Sequence, residues 1–243
     1  MQPVVGVDGS RSGWVAVHFN TDTSCYKAEI LSDIESVWKW AADANPILID
    51  VPIGLHDAGT EPRQCDIIAR RLLGRPRSSS VFPPPCRPAL KAGNREEASR
   101  INEALTGRKI NAQTWGIFPK IREVDAFLRA ERSRNTRLRE VHPELLFWAL
   151  NHRKPMCHRK ATTLGRKERL EVLSRHAPSS FKFFESEKGK LRVLGAEAHD
   201  LLDALAAVVA MQASGGELRT IPDAREIDSH GLQMEMLYPH VLD

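Results

Sequence analysis

Asp200 and Asp203 stand three residues apart at the head of an apolar run with no further charge from Ala204 to Gly216. The run Leu201-Leu202-Asp203-Ala204-Leu205-Ala206-Ala207-Val208-Val209-Ala210-Met211 reads as a buried helix, stopped by Gly215-Gly216. A spacing of three puts both carboxylates on one face, which continues through Ala204, Ala207 and Met211. Carboxylates on such a surface repel each other and lose hydration unless something positive lies between them, and a divalent cation meets that need. The plainer alternative is that Asp200 caps the helix and Asp203 points to water.

Three more acids stand where strands should end. Val4-Val5-Gly6-Val7-Asp8 is an apolar strand closing on an acid; a Gly/Ser turn and a second strand, Trp14 to Phe19, make it a hairpin. Ile47-Leu48-Ile49-Asp50 is a short apolar run of the kind that suits a central strand covered on both faces. Leu138-Arg139-Glu140-Val141-His142-Pro143-Glu144 places Glu140 on a strand, with Pro143 opening a helix. Asp8, Asp50, Glu140, Asp200 and Asp203 are therefore the candidate catalytic and metal-binding residues, with Glu144 competing with Glu140. Mg²⁺ or Mn²⁺ takes oxygen ligands of this type, and two such ions clamp the attacking and leaving oxygens of a phosphodiester displacement. His199 adjoins the aspartate pair and is able to serve as a base on water, or simply to begin the helix. His142 follows Glu140 by two and faces the same side of that strand, as a supporting group or a replacement ligand.

The order of hairpin with Asp, helix, strand with Asp, strand with Glu, and helix with Asp-x-x-Asp resembles the ribonuclease H-like superfamily and its RuvC-type resolvase branch. The whole chain more closely resembles an uncharacterised family of predicted RNase H-like nucleases (domain of unknown function 429). The matching stretches are Val5-Gly6-Val7-Asp8-Gly9 with Gly13-Trp14, Ile49-Asp50-Val51-Pro52-Ile53-Gly54-Leu55, Ser78-Ser79-Ser80-Val81-Phe82-Pro83, Lys120-Ile121 with Glu123-Val124-Asp125, Glu140-Val141-His142-Pro143-Glu144, and Leu201-Leu202-Asp203-Ala204-Leu205-Ala206. The resemblance implies an α/β, RNase H-like fold with a mixed central sheet and helices on both faces. It also implies a nuclease function, itself inferred from fold. The expectation is a single domain over residues 1–243, with a helical and basic-loop insertion within about 55–135.

The rest of the chain bears on substrate and setting. Between Arg63 and Arg95, eight basic residues face Asp66 alone, although the whole chain is only +4. A helix from Pro62 to Leu73 leads through Gly74 into Arg75-Pro76-Arg77-Ser78-Ser79-Ser80. Guanidinium groups beside serine hydroxyls suit phosphate capture, so Arg70, Arg71, Arg75, Arg77, Ser78 and Ser79 are candidate phosphate contacts for DNA or RNA. A solvated, proline-stiffened loop is the alternative. Lys160 and Arg166, in the basic stretch Arg159 to Arg169, are further candidates. Asn94 caps a helix running to Gly107, Pro119 opens another, and Gly231 to Pro239 alternates as an added edge strand. The four cysteines lack CxxC spacing and read as free thiols, and Cys157-His158 lacks the second pair that a zinc site needs. No signal-like or membrane-spanning run is present, so a cytoplasmic protein without membrane contact is expected. Two other functions compete: a non-catalytic nucleic-acid-binding module on a nuclease scaffold, and an ATP-dependent phosphotransferase of the sugar-kinase and actin type. The second normally needs two such domains and more chain than 243 residues offer.

Overall fold

The computed structural model describes residues 2–240. The β-branched run at the start of the chain forms antiparallel β1 (Val4–Ser10) and β2 (Gly13–Asn20), and β3 (Cys25–Leu31) adds to β2, also antiparallel. On the other side of β1, β4 (Ile47–Ile49) and then β5 (Leu138–Glu140) add parallel. The result is a mixed five-stranded sheet in the order β3-β2-β1-β4-β5. β6 (Leu218–Ile221) and β7 (Met236–Pro239) pair separately, so the expected C-terminal strand narrows to its last four residues. Among the described residues there are eight α-helices: α1 (Ile34–Trp40), α2 (Gln64–Leu73), α3 (Arg95–Thr106), α4 (Ala112–Ala130), α5 (Pro143–Leu150), α6 (Thr163–His176), α7 (Ser179–Val193) and α8 (Ala198–Ala213). None is long and apolar enough to cross a membrane. The fold class is α/β with a mixed sheet.

Two compact units divide the chain. The first comprises residues up to Asp50, Arg137–Thr220 and the chain from Leu237; the second comprises Val51–Thr136 and Ile221–Met236.

In the first unit β1 and β4 are apolar on both faces because both faces are covered. On one face α1 packs on β2 and β3, with Trp40 edge-on to His18. On the other, α8 crosses β1, β2 and β4, and α5, α6 and α7 pack around α8. Every residue of α8 from Asp200 to Met211 is buried, which is why the sequence there tolerates no charge after Asp203. Each fully buried Leu or Val in this core contributes about 1.5–3 kcal/mol, and Val15, Val17, Leu48, Leu146, Phe147, Leu205 and Val208 belong to it.

The second unit carries α2, α3 and α4. Asn94 caps α3, its side chain accepting from Glu97 N at 2.9 Å, and Gly107 ends the helix with a positive φ of 72°. Pro119 does not open a helix. It lies inside α4, which starts a full turn or more earlier at the Asn111 cap, whose Oδ1 accepts from Thr114 N at 2.7 Å. The proline costs α4 one hydrogen bond, and the buried stripe of Phe118, Ile121, Val124 and Leu128 carries the helix through it.

Candidate functional site

Gly6 explains how strand and helix acids come together in the first unit. A side chain there would drive its Cβ into the Ala204 carbonyl oxygen and to 2.9 Å from the Ala207 Cβ, so only glycine lets α8 lie this close on β1. Asp8, two residues on, projects from the same face of the strand, and Asp203 immediately precedes Ala204. In the ladder Val7 pairs with Ile49, and Asp50 N donates to Val7 O at 2.9 Å. β1 does not close on Asp8 but runs on to Ser10; Asp8 and Asp50 instead sit side by side one residue past the end of the β1–β4 pairing.

The electrostatics report a crowded cluster. Burial, then the charges of Asp50 and Asp203, push the Asp8 carboxyl well above its ordinary value, with Lys160 opposing and Asp200 adding to the rise. Asp50 is raised by burial and by Asp203, against the pull of His142, Lys160 and a hydrogen bond with Asp8. Asp203 is 2% exposed. Its Oδ2 accepts from Lys160 Nζ at 2.6 Å, while its buried Oδ1 has no hydrogen-bond partner. Asp203 therefore does not point to water.

Asp200 has a second duty. Its Oδ2 accepts from Glu197 N at 2.9 Å while the Glu197 side chain accepts from the Asp200 backbone N–H, a reciprocal cap at the start of α8. Its Oδ1 lies 3.3 Å from His199 Nε2. Burial is the main cause of the raised Asp200 carboxyl, and Asp203 adds to it. The capping role that competes with catalysis is thus present in the same residue that feels the cluster.

The sequence offers Lys160 to substrate phosphate; in the structure its ammonium sits on Asp203, which holds it well above the ordinary lysine range. Its backbone is held firmly. Glu168 accepts from Cys157 N at 2.6 Å and His158 N at 2.9 Å, and Arg169 donates to His158 O at 3.0 Å. A side chain on Gly165 would collide with Arg159 O, so the segment lies directly against the first turn of α6. Arg169 is fully buried and also donates to Glu144 Oε1, which gives Glu144 a structural partner. Glu140 is 3% exposed and stands in register with Ile49, itself in register with Val7. Alternation therefore turns Glu140 to the face opposite Asp8. No local signal in the sequence announces the roles of Lys160 or Arg169, because their partners lie far along the chain.

The donor chemistry suits a hard divalent cation: buried carboxylate oxygens, one of them unpartnered. Among the described residues, however, no group of three or more His, Cys, Asp and Glu is arranged to hold a metal ion. Asp8, Asp50 and Asp203, with Asp200 beside them, are the residues with the chemistry to hold one, and Lys160 takes part of their charge.

The basic segment belongs to the second unit, and its charge is partly internal. Arg63 is 1% exposed, donating to both oxygens of Asp66 at 3.0 and 2.6 Å. Arg87 is 5% exposed and joins Asp125 at 3.0 Å and Asp228. Arg70 donates to Val81 O, Ser78 N donates to Gly74 O at 2.6 Å, and Ser79 Oγ donates to Pro76 O at 3.0 Å. Arg71 and Arg75 are exposed, and Arg77 is half-buried. The run of charge in the sequence is thus a smaller surface feature than its count implies. Arg166, in the first unit, donates to Ala161 O at 2.8 Å. All four cysteines are free thiols.

No curated protein and no solved structure matches the chain. A family model does, over residues 6–227, a span that contains all of the candidate acids. The chain accordingly belongs to the family described as Protein of unknown function (DUF429).

Proposed function

We propose that the protein is a divalent-metal-dependent phosphodiesterase acting on nucleic acid, built on an RNase H-like scaffold. The observation that carries this reading is the meeting of Asp8 on β1, Asp50 just past β4 and Asp203 on α8 in one cluster, where the Asp203 Oδ1 is buried and has no hydrogen-bond partner. The element order supports the scaffold: Asp8 on a hairpin strand, Asp50 just after the next parallel strand, Glu140 on the strand beyond, and Asp200 with Asp203 on the last long helix. Bound Mg²⁺ or Mn²⁺ would supply Lewis acidity and an activated water at neutral pH. The residues' own part is to gather negative oxygens in one cluster, to keep Asp203 fixed on α8, and to offer His199, beside Asp200, as a proton acceptor. Exposed Arg71 and Arg75 supply phosphate affinity that falls with salt.

The Lys160 contact favours a second reading, a module that binds nucleic acid without cutting it, because an internal ammonium already meets part of the acids' need for a cation. One experiment separates the two. Purified protein is incubated with single-stranded, duplex and branched DNA and RNA, with Mg²⁺, Mn²⁺ or chelator, beside Asp50→Asn. Metal-stimulated cleavage that disappears in Asp50→Asn supports the nuclease. Binding without cleavage under any of these conditions supports the module.

A further inference from the structure

The most unusual contact in the first unit is the one between a lysine and the carboxylate cluster. Lys160 Nζ lies 2.6 Å from Asp203 Oδ2; the Asp203 side chain is 1% exposed and that of Lys160 is 42% exposed. The ammonium also acts electrostatically on Asp8, Asp50 and Asp200. The backbone behind it is fixed by Glu168, by Arg169 and by the close approach of Gly165 to Arg159. A rigid platform with a flexible four-carbon stem lets the charged head move while the chain does not.

We propose that Lys160 is a resident counter-ion of the carboxylate cluster and that a divalent cation binds there by exchange, displacing the ammonium from Asp203. This rests on the metal-dependent reading above. Two cations on one small cluster of carboxylates repel, so occupancy by one lowers the affinity for the other. Asp203 Oδ1, buried and unpartnered, is the oxygen from which the incoming ion starts. The displaced ammonium swings toward solvent, where the only fitting partner is an anion. In a phosphodiesterase that anion is the substrate's phosphate, so metal loading and substrate capture become one coupled event.

The test uses the full chain and Mn²⁺ alone. Mn²⁺ is titrated into wild type, Lys160→Met and Lys160→Arg, and read by calorimetry and thermal unfolding. Exchange predicts that Lys160→Met melts lower than wild type without metal and binds Mn²⁺ about tenfold tighter or more. Lys160→Arg keeps a cation in place and gains no affinity. If Lys160→Met does not fold without metal, Mn²⁺ must restore its cooperative unfolding transition, and failure to do so overturns the proposal. Equal, measurable Mn²⁺ affinity in all three proteins overturns the exchange and leaves the metal-dependent reading standing. No Mn²⁺ binding by any of them, repeated with a non-cleavable oligonucleotide present, overturns both.

Discussion

Gly6 and Ala204 touch backbone to backbone: the α carbon of the strand residue lies so close to the helix carbonyl that no β carbon fits between them. This contact sets the depth at which α8 seats on β1, and with it the distance from Asp203 to Asp8. Gly6→Ala must push helix and strand apart in a core that has no slack. The expected cost is about 1–3 kcal/mol or more, read as a lower urea midpoint, together with a weaker Mn²⁺-induced rise in melting temperature. A Gly6→Ala protein with the stability and metal response of wild type would show that the contact does not position the acids.

Asp8→Asn tests the repulsion within the cluster. Burial and neighbouring acids raise the folded carboxyl above its ordinary value of 3.8. A raised carboxyl contributes stability below the unfolded value and loses it as pH rises through the folded value. Relative to wild type, Asp8→Asn should therefore gain stability as pH climbs from about 4 to neutrality. Urea unfolding in chelator across that range measures the difference. Any metal-stimulated cleavage should vanish in the same variant. A stability difference that stays flat with pH would mean that Asp8 ionises in the fold as it does in water.

Glu140 and Glu144 can be told apart by position. Glu144 receives a buried guanidinium, whereas Glu140 stands in register with Ile49, on the opposite face from Asp8. Glu144→Gln should cost stability, on the order of 3–5 kcal/mol, because it leaves the Arg169 charge uncompensated. Neither Glu144→Gln nor Glu140→Gln should weaken Mn²⁺ binding as strongly as Asp50→Asn does. Calorimetric titration of the three variants checks the order, and a drop in binding in Glu140→Gln equal to that in Asp50→Asn would restore Glu140 as a ligand.

Much of this site is readable in the chain because its parts obey local rules. The hairpin bearing Asp8, the short strand before Asp50, the proline-led α5 and the buried run of α8 each follow from periodicity, turn residues or composition. Capping of α8 and membership of the acid cluster compete for Asp200 in the sequence, and the residue shares both environments in the fold. Pairings across long stretches of chain escape such rules. Lys160 and Asp203 are 43 positions apart, and nothing near either residue names the other. Pro119 misleads because a local helix-start signal is outweighed by the Asn111 cap and by a stripe of buried side chains. The basic segment misleads through counting, since a sequence cannot reveal that Arg63 and Arg87 commit their charge to Asp66, Asp125 and Asp228 inside the fold.

The Arg87 network gives a prediction for the second unit alone. Burial by itself would raise Asp228, but hydrogen bonds from Arg87, Leu232 N and Leu55 N hold its carboxyl below the ordinary range. Such a group adds stability above its unfolded pKa and loses it as pH falls through the folded value. Arg87→Met takes the buried guanidinium from Asp228 and leaves Asp125 with Arg129 alone, and should cost about 3–5 kcal/mol at neutral pH, with a smaller penalty in acid. Urea midpoints at neutral pH and near pH 3 provide the comparison. A penalty that does not shrink in acid would assign the effect to packing instead of charge.

The exposed arginines should show themselves in salt. Removing Arg71 and Arg75 together should flatten the plot of log affinity against log salt by about 0.7–0.9 for each phosphate that is no longer neutralised. Fluorescence anisotropy with a labelled oligonucleotide in chelator measures the slope. The same slope in wild type and variant would free this segment for a structural role or a protein partner.

The seating of α8 on β1 also orders events during synthesis. The sheet's central strand is made first, and the helix that must cover it is made some two hundred residues later. At about 5–20 residues per second, the apolar meander waits on the order of ten to forty seconds for its lid. Long-range pairing of this kind also folds slowly. The core of the first unit therefore closes only after Asp203 and the apolar turns behind it have been made, because α8 is the element that covers β1, β2 and β4.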